Sequence, residues 1–496
     1  MANQFKSITP EQAGIPSSAV TAFINKIEER KMELHSLLLI KNGKLLTEAY
    51  WKPFDRDFRH RLYSSSKSFV SVAIGILIGD GKLSLDDKAV DFFPDKVTED
   101  TDFRLKMTTI RDLLRMTTPY KVGRTYSPDE ADWTDSFFKN ELIDHYPGTV
   151  FDYNTTATTM LCMIIKRVSG QELTEFLSEK LFAPLGMAKD IRCIKTPCGH
   201  DWGGSGIICT PRDFARFATL CLNMGKHNGK QLVPEKYMRE ATSKQIETQV
   251  TEAQPEETHG YGYQFWCLRD GGFATLGMGC QISLNFPQFG FSLIATGNTQ
   301  AVSNGYSAYV IATFFDILYP FLEASSPLAE NPQEYGILQN KISSLAVPCV
   351  KGTLSSPVAE KINGVEFNMR PSQSGIKNIK FTFEGNEGAM HYTNATGDHS
   401  IYFGLGHHIH GSFPETYYSG DSIGIPSGEG YDIITSAAWI EKNSLLIECS
   451  AIDKYFGKLR INAVFLENTI TLHMKKAAEW FFEEYRGFAC GEAQAD

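Results

Sequence analysis

The sequence predicts an α+β fold followed by a smaller all-β domain. Two features of the 496-residue chain carry this reading. Residues 1–325 mix apolar runs at helical spacing with short strand-like runs, and their last four strands fit one antiparallel sheet. Residues 346–496 are strand-like in nearly every periodic segment, with turn residues between. Residues 326–345, richer in Pro, Ser, Glu and Asn, read as a connector with one helix.

Taken in order, residues 11–33 predict a first helix. Ser36 to Ile40 and Leu45 to Trp51 are strands joined through Asn42-Gly43, a hairpin signal. An apolar helix runs from near Ser64 to about Leu77 and stops at Asp80-Gly81. Ile110 to Leu114 has helical spacing, and Thr159 to Val168 suits a buried helix. Gly203-Gly204-Ser205-Gly206 is a tight loop, and Pro211 opens a helix to about Leu222. Tyr261 to Leu268, Phe273 to Leu276, Gln281 to Phe286 and Phe291 to Ala295 read as strands, closed by a helix over Ser303 to Leu322. Beyond the connector, eight strands from Val365 to His473 suggest a small antiparallel barrel or sandwich.

The net charge of −10 argues against nucleic acid or an anionic membrane surface as the main partner. Ten scattered cysteines without a Cys-x-x-Cys read as reduced thiols of a cytoplasmic protein. The N-terminus lacks a basic segment followed by a long apolar run, and no segment has the apolar length of a membrane span.

The chemistry centres on Tyr63-Ser64-Ser65-Ser66-Lys67. At i and i+3 of a helix, Ser64 and Lys67 share one face, where a desolvated amine can activate a hydroxyl. Alone the pattern is weak, because a chain of this length holds roughly two by chance. Ser374-Gly375-Ile376-Lys377 is a second copy and is given no role. The plain alternative is that Ser64 to Ser66 cap a core helix.

The company of Ser64 decides between them. Thr109-Ile110-Arg111-Asp112-Leu113-Leu114, Pro147-Gly148-Thr149-Val150-Phe151-Asp152-Tyr153, the 203–206 loop with Pro211-Arg212-Asp213, Tyr261-Gly262-Tyr263-Gln264-Phe265-Trp266 and Gly277-Met278-Gly279-Cys280-Gln281 follow it in order. With these motifs the N-terminal 320 residues resemble the serine β-lactamase-like superfamily, in the branch of class C β-lactamases, D-Ala-D-Ala carboxypeptidases and family VIII esterases. The resemblance implies an antiparallel sheet flanked by helices, with an all-helical region inserted between its two parts. It implies Ser64 as nucleophile, Lys67 and Tyr153 as the acid/base pair, and the backbone N–H groups of Ser64 and Met278 as the oxyanion hole. Asn154, Thr155, Leu276 and Gly277 would line the substrate, with Gly277 letting its carbonyl come close. By itself Tyr153 would read as a packed core tyrosine.

Two departures bear on substrate. The family's Tyr-x-Asn is here Tyr153-Asn154-Thr155, and the basic residue that opens its third motif is replaced by Thr275. The loss of that cation, which grips the carboxylate of penicillins and D-Ala-D-Ala peptides, favours a serine hydrolase of small esters or amides. The alternatives are an acyltransferase with an alcohol or amine acceptor, a β-lactamase or D-Ala-D-Ala carboxypeptidase, and a non-catalytic binding protein on this fold. The C-terminal β domain resembles the lipocalin-like domains of some relatives. It would shape the cleft, pair subunits into a homo-oligomer, or stand as a stabilising appendage. No cofactor or metal is expected: His407-His408-Ile409-His410 reads as a strand edge, and His60 as structural.

Overall fold

The computed structural model describes residues 5–120, 131–138, 143–250, 255–301, 307–323 and 326–494. The chain forms two units, Met1–Val347 with Asp421–Ile423, and Pro348–Gly420 with Gly424–Asp496.

The first unit is built on a seven-stranded sheet. Its strands are β1 (Lys6–Ser7), β2 (Leu34–Lys41), β3 (Lys44–Tyr50), β4 (Trp266–Cys267), β5 (Phe273–Gly277), β6 (Gln281–Phe286) and β7 (Phe291–Gly297), in the order β1-β3-β2-β7-β6-β5-β4. Only β1, parallel to β3, departs from antiparallel pairing. Asn42 and Gly43 both take positive φ (50° and 71°), the two-residue turn whose twist suits a hairpin. Strands β2, β5, β6 and β7 are buried along their whole lengths, so this sheet is covered on both faces.

The covering helices are α1 (Ser17–Glu29), α2 (Ser66–Gly79), α3 (Ile110–Leu114), α4 (Thr155–Ser169), α5 (Pro211–Leu222), α6 (Ala308–Ile317) and α7 (Pro332–Ser343). Helix α1 packs on α6 and α7, α5 packs on β6 and β7, and α2 and α3 both pack on α4. The stretch read as a connector therefore carries a helix that belongs to the first unit.

Several sequence expectations need correction. The helix expected over 11–33 is split: a 3-10 turn, Glu11–Ala13, ends at left-handed Gly14 (φ 79°), and α1 begins only after Pro16. The strand expected over Tyr261 to Leu268 shrinks to β4, because Gln264 adopts φ 61°. The last helix is broken before Pro320 into α6 and a 3-10 turn, Tyr319–Phe321. Residues 303–306 of that expected helix lie outside the described residues. The region between β3 and β4 is not all helical, since His60–Arg61, Ile207–Cys209 and Arg192–Cys193 form a small sheet within it.

The second unit is a closed nine-stranded barrel. Its strands are β8 (Glu366–Met369), β9 (Asn378–Glu384), β10 (Glu387–Asn394), β11 (Gly397–Leu405), β12 (Asp432–Glu441), β13 (Ser444–Ile452), β14 (Phe456–Leu466), β15 (Thr469–Ala477) and β16 (Gly487–Ala493). The ring runs β11-β10-β9-β8-β16-β15-β14-β13-β12 and closes through a parallel pair, Gly404 with Ser436 and Leu405 with Ala437. Strand β16 escaped the sequence reading because its inward positions, Ala489 and Gly491, are small. A Cβ at Gly491 would lie 2.6 Å from the Asn368 carbonyl, so the neighbouring strand leaves no room for one.

Aromatic rings meet across the lumen. Phe381 of β9 lies edge-on to Phe465 of β14 at 5.4 Å, although the two strands are not neighbours. Trp439 joins the cluster 6.1 Å from Phe465. The barrel is filled by side chains at this level. Phe381→Ala therefore removes a lumen-spanning ring, and equilibrium unfolding should show the barrel destabilised by about 3–5 kcal/mol.

Candidate active site

The site begins with the strand His60–Arg61, paired to Ile207–Cys209. The chain then turns sharply through Tyr63, whose φ is 47°. A bulky aromatic residue in the left-handed region is uncommon and strained. Here it is held by burial and by the Arg61 guanidinium, 4.1 Å from the ring centroid. Ser64 follows immediately in the 3-10 turn Tyr63–Ser65, which leads into α2.

The serines around it do not cap the helix, so the plain reading of this stretch fails. Ser65 Oγ donates to the Gln281 carbonyl at 2.6 Å and lies 3.1 Å from Thr275 Oγ1. Ser66 Oγ accepts from the Ile207 N–H at 3.1 Å, and Ser68 Oγ donates to the Gln264 carbonyl at 2.7 Å. The start of α2 is thus stitched to β5, β6, the strand at Ile207 and the loop at Gln264, which fixes Ser64 without using its own hydroxyl.

Lys67 Nζ donates to Ser64 Oγ at 3.0 Å and to the Gly204 carbonyl at 2.7 Å. The side chain is only 1% exposed. Burial, reinforced by the positive charge of Arg61, brings its pKa down to about 7. The acceptor loop is packed too closely for side chains. A Cβ at Gly203 would lie 2.2 Å from Cys162 Sγ, and one at Gly204 would lie 2.7 Å from the Thr155 methyl.

Tyr153 stacks on Trp266, with centroids 5.5 Å apart, and presents its ring 5.0 Å from Lys67 Nζ. Ser64, Lys67 and Tyr153, separated by up to 89 residues, therefore share one place. Thr155 joins them through its packing on Gly204.

Asn154, expected to line the substrate, is engaged in the fold. It is the N-cap of α4: its Oδ1 accepts from the Thr156 N–H at 2.8 Å, its Nδ2 donates to Thr118 Oγ1 at 3.1 Å, and it is 1% exposed. Gly277 serves close packing, because a Cβ there would lie 2.3 Å from the Leu62 carbonyl. This abutment brings the end of β5 against the turn that carries Ser64. Met278 follows in the turn to β6, and Leu276 on β5 is buried opposite Ile282.

Thr275 enters a neutral hydrogen-bonded chain. Its Oγ1 lies 3.0 Å from Ser283 Oγ, Asn285 Nδ2 donates to Ser283 Oγ at 3.0 Å, and Ser292 Oγ donates to Asn285 Oδ1 at 2.8 Å. Thr275 is thus buried and committed to uncharged partners.

The sequence reading gave no role to Arg61 or Gln264. Gln264 joins three elements: Oε1 accepts from Thr158 of α4 at 2.7 Å, Nε2 donates to the Leu114 carbonyl at 2.9 Å, and its own carbonyl holds Ser68. No local pattern announces these Gln264 partners, because each lies more than 90 residues away. His60 faces His35, 3.2 Å away, within the core. Ser374 lies in a turn rather than on a helix, with its Oγ 2.9 Å from Ser372 Oγ. Among the described residues no group of three or more His, Cys, Asp or Glu is placed to hold a metal ion. Nor is any described helix long and apolar enough to cross a membrane.

A model of the beta-lactamase family matches residues 22–312. The chain belongs to the beta-lactamase family. Over 280 residues it is 25% identical to a 6-aminohexanoate-dimer hydrolase of Paenarthrobacter ureafaciens, covering 52% of this chain and 71% of that protein. Two solved structures share the fold. One is a putative 6-aminohexanoate-dimer hydrolase from Bacillus anthracis, with TM-score 0.51, 19% identity, and 64% of this chain and 87% of that one covered. The other is EstCE1, a hydrolase with promiscuous acyltransferase activity, with TM-score 0.50, 16% identity, and 62% and 99% covered. The match thus falls on the first unit, and its relatives include hydrolases.

Asn154→Ala should cost about 1 kcal/mol of stability through the lost cap. Thermal unfolding should register that loss, while turnover of the folded variant falls far less than in Ser64→Ala.

Proposed function

We propose that the protein is a serine hydrolase that cleaves a small ester or amide through an acyl-enzyme on Ser64. The observation that carries this reading is the buried Lys67 amine, 3.0 Å from Ser64 Oγ and titrating at about 7. A lysine in water is a cation at neutral pH and takes no proton. This one is half neutral there and within hydrogen-bond reach of the hydroxyl.

Lys67 takes the Ser64 proton as Oγ adds to the substrate carbonyl. The negative charge that gathers on the carbonyl oxygen falls to the backbone N–H groups of Ser64 and Met278. Tyr153, beside Lys67, relays the proton to the leaving alcohol or amine, and Lys67 regains its neutral form. Water then adds to the ester on Ser64 by the reverse sequence and releases the acid.

The buried neutral surroundings of Thr275 support a substrate without a carboxylate beside the scissile bond, since a cation to grip one is missing at that position. The name of the Paenarthrobacter relative, a hydrolase of an aminohexanoate dimer, supports including amides.

The test is turnover of short p-nitrophenyl esters and anilides, with nitrocefin alongside, by wild type and Ser64→Ala. The expected result is ester or anilide turnover that falls about 10³-fold or more in the variant, with nitrocefin intact. Wild-type kcat/KM should rise with pH through about 7, because only the unprotonated Lys67 acts as base. A wild type that forms no Ser64 adduct in its intact mass overturns the reading. Product analysis with an added alcohol separates hydrolysis from acyl transfer.

A further inference from the structure

Arg61 lies three residues before Ser64 and is completely buried. Its Nε donates to the Ser205 carbonyl at 2.9 Å, and a terminal nitrogen donates to Ser205 Oγ at 2.9 Å. Lys67 donates to the carbonyl one residue earlier, that of Gly204. Two buried cationic side chains therefore hold adjacent residues of one four-residue loop. The guanidinium also faces the rings of Tyr63 at 4.1 Å and Trp202 at 5.1 Å, which suits a cation–π contact. Tyr63 is the left-handed residue in front of Ser64.

We propose that Arg61 is a positioning residue for the Ser64–Lys67 pair: it pins the 203–206 loop so that the Gly204 carbonyl meets Lys67, braces Tyr63, and sets a permanent positive charge beside the lysine. The proposal rests on the reading of Lys67 as the base of Ser64.

The groups that face Lys67 come from four places. Ser64 Oγ comes from its own turn, the Tyr153 ring from the segment before α4, the Gly204 carbonyl from the loop, and the Arg61 charge from the preceding strand. Among the described residues, Arg61 is the charged side chain that acts on the Lys67 amine, and it acts in the same direction as burial. A guanidinium keeps its proton at every working pH. The bias on Lys67 is therefore constant, which a titratable cation in that place would not guarantee.

The decisive variant is Arg61→Gln, which removes the charge and keeps a polar side chain. Two quantities are read. One is the titration of Lys67, followed by NMR of lysine-labelled protein and assigned with Lys67→Ala. The other is the pH dependence of Ser64 acylation by an ester. In Arg61→Gln, Lys67 should titrate about one pH unit or more higher, and the acid limb of acylation should move with it. The rate then falls at both ends of the range, through the loosened loop, and by about tenfold more near pH 6 than near pH 9. A Lys67 titration unmoved in folded Arg61→Gln overturns the proposal, whatever happens to the rate.

Arg61→Lys is the second variant, decisive if the first does not fold. It retains a cation but not the planar fork, so its acid limb should stay within about half a unit of wild type. A limb displaced by a full unit there overturns the proposal. A wild type without any Ser64 acylation refutes the nucleophile instead, and the Lys67 titration still decides what Arg61 does.

Discussion

A buried ammonium must find its solvation inside the protein, and the first unit is arranged around that requirement at Lys67. Leaving such a group without partners costs several kcal/mol, so it either loses its proton or gains oxygens. Here it does some of each. The Gly204 carbonyl and Ser64 hydroxyl receive its hydrogen bonds, and burial beside Arg61 weakens its hold on the proton. The same environment that makes the lysine expensive to bury lowers its affinity for the proton.

That arrangement depends on backbone brought to within touching distance. The 203–206 loop reaches Lys67 because glycines at 203 and 204 let it lie against Cys162 and Thr155. The end of β5 reaches the Ser64 turn because Gly277 leaves room for the Leu62 carbonyl. Serines that a helix start would ordinarily use as caps instead join α2 to the sheet, so Ser64 stands on a seam between sheet and helices. The replacement of a third-motif cation by Thr275 belongs to the same logic. Its hydroxyl extends a neutral chain through Ser283, Asn285 and Ser292, where a charge would have no partner.

The barrel of the second unit solves a different problem. Nine strands closed through a parallel seam leave the ring itself without free edges, the main hazard of an isolated sheet. Its lumen is occupied by aromatic rings at the level of Phe381, Trp439 and Phe465. Glu415, 2% exposed, takes hydrogen bonds from the Tyr392 and Tyr485 hydroxyls within the same unit.

The sequence by itself determined the local elements and the identity of the chemical groups. The Asn42-Gly43 hairpin, α5 starting at Pro211, α2 beginning at the serine cluster, and the eight barrel strands are all written in short-range patterns of turn residues and apolar periodicity. Helix geometry joins Ser64 and Lys67 across three residues, and the resemblance carried by the flanking motifs singled that pair out. Only the tertiary structure decided what acts on them. Arg61 holding Ser205, Gln264 linking α2, α3 and α4, and the parallel seam of the barrel are contacts between segments far apart in sequence, which periodicity does not encode. Asn154 shows the difference most plainly. An Asn immediately before a helix meets unsatisfied backbone N–H groups, and the fold turned its amide to them, a partner that the motif by itself did not announce.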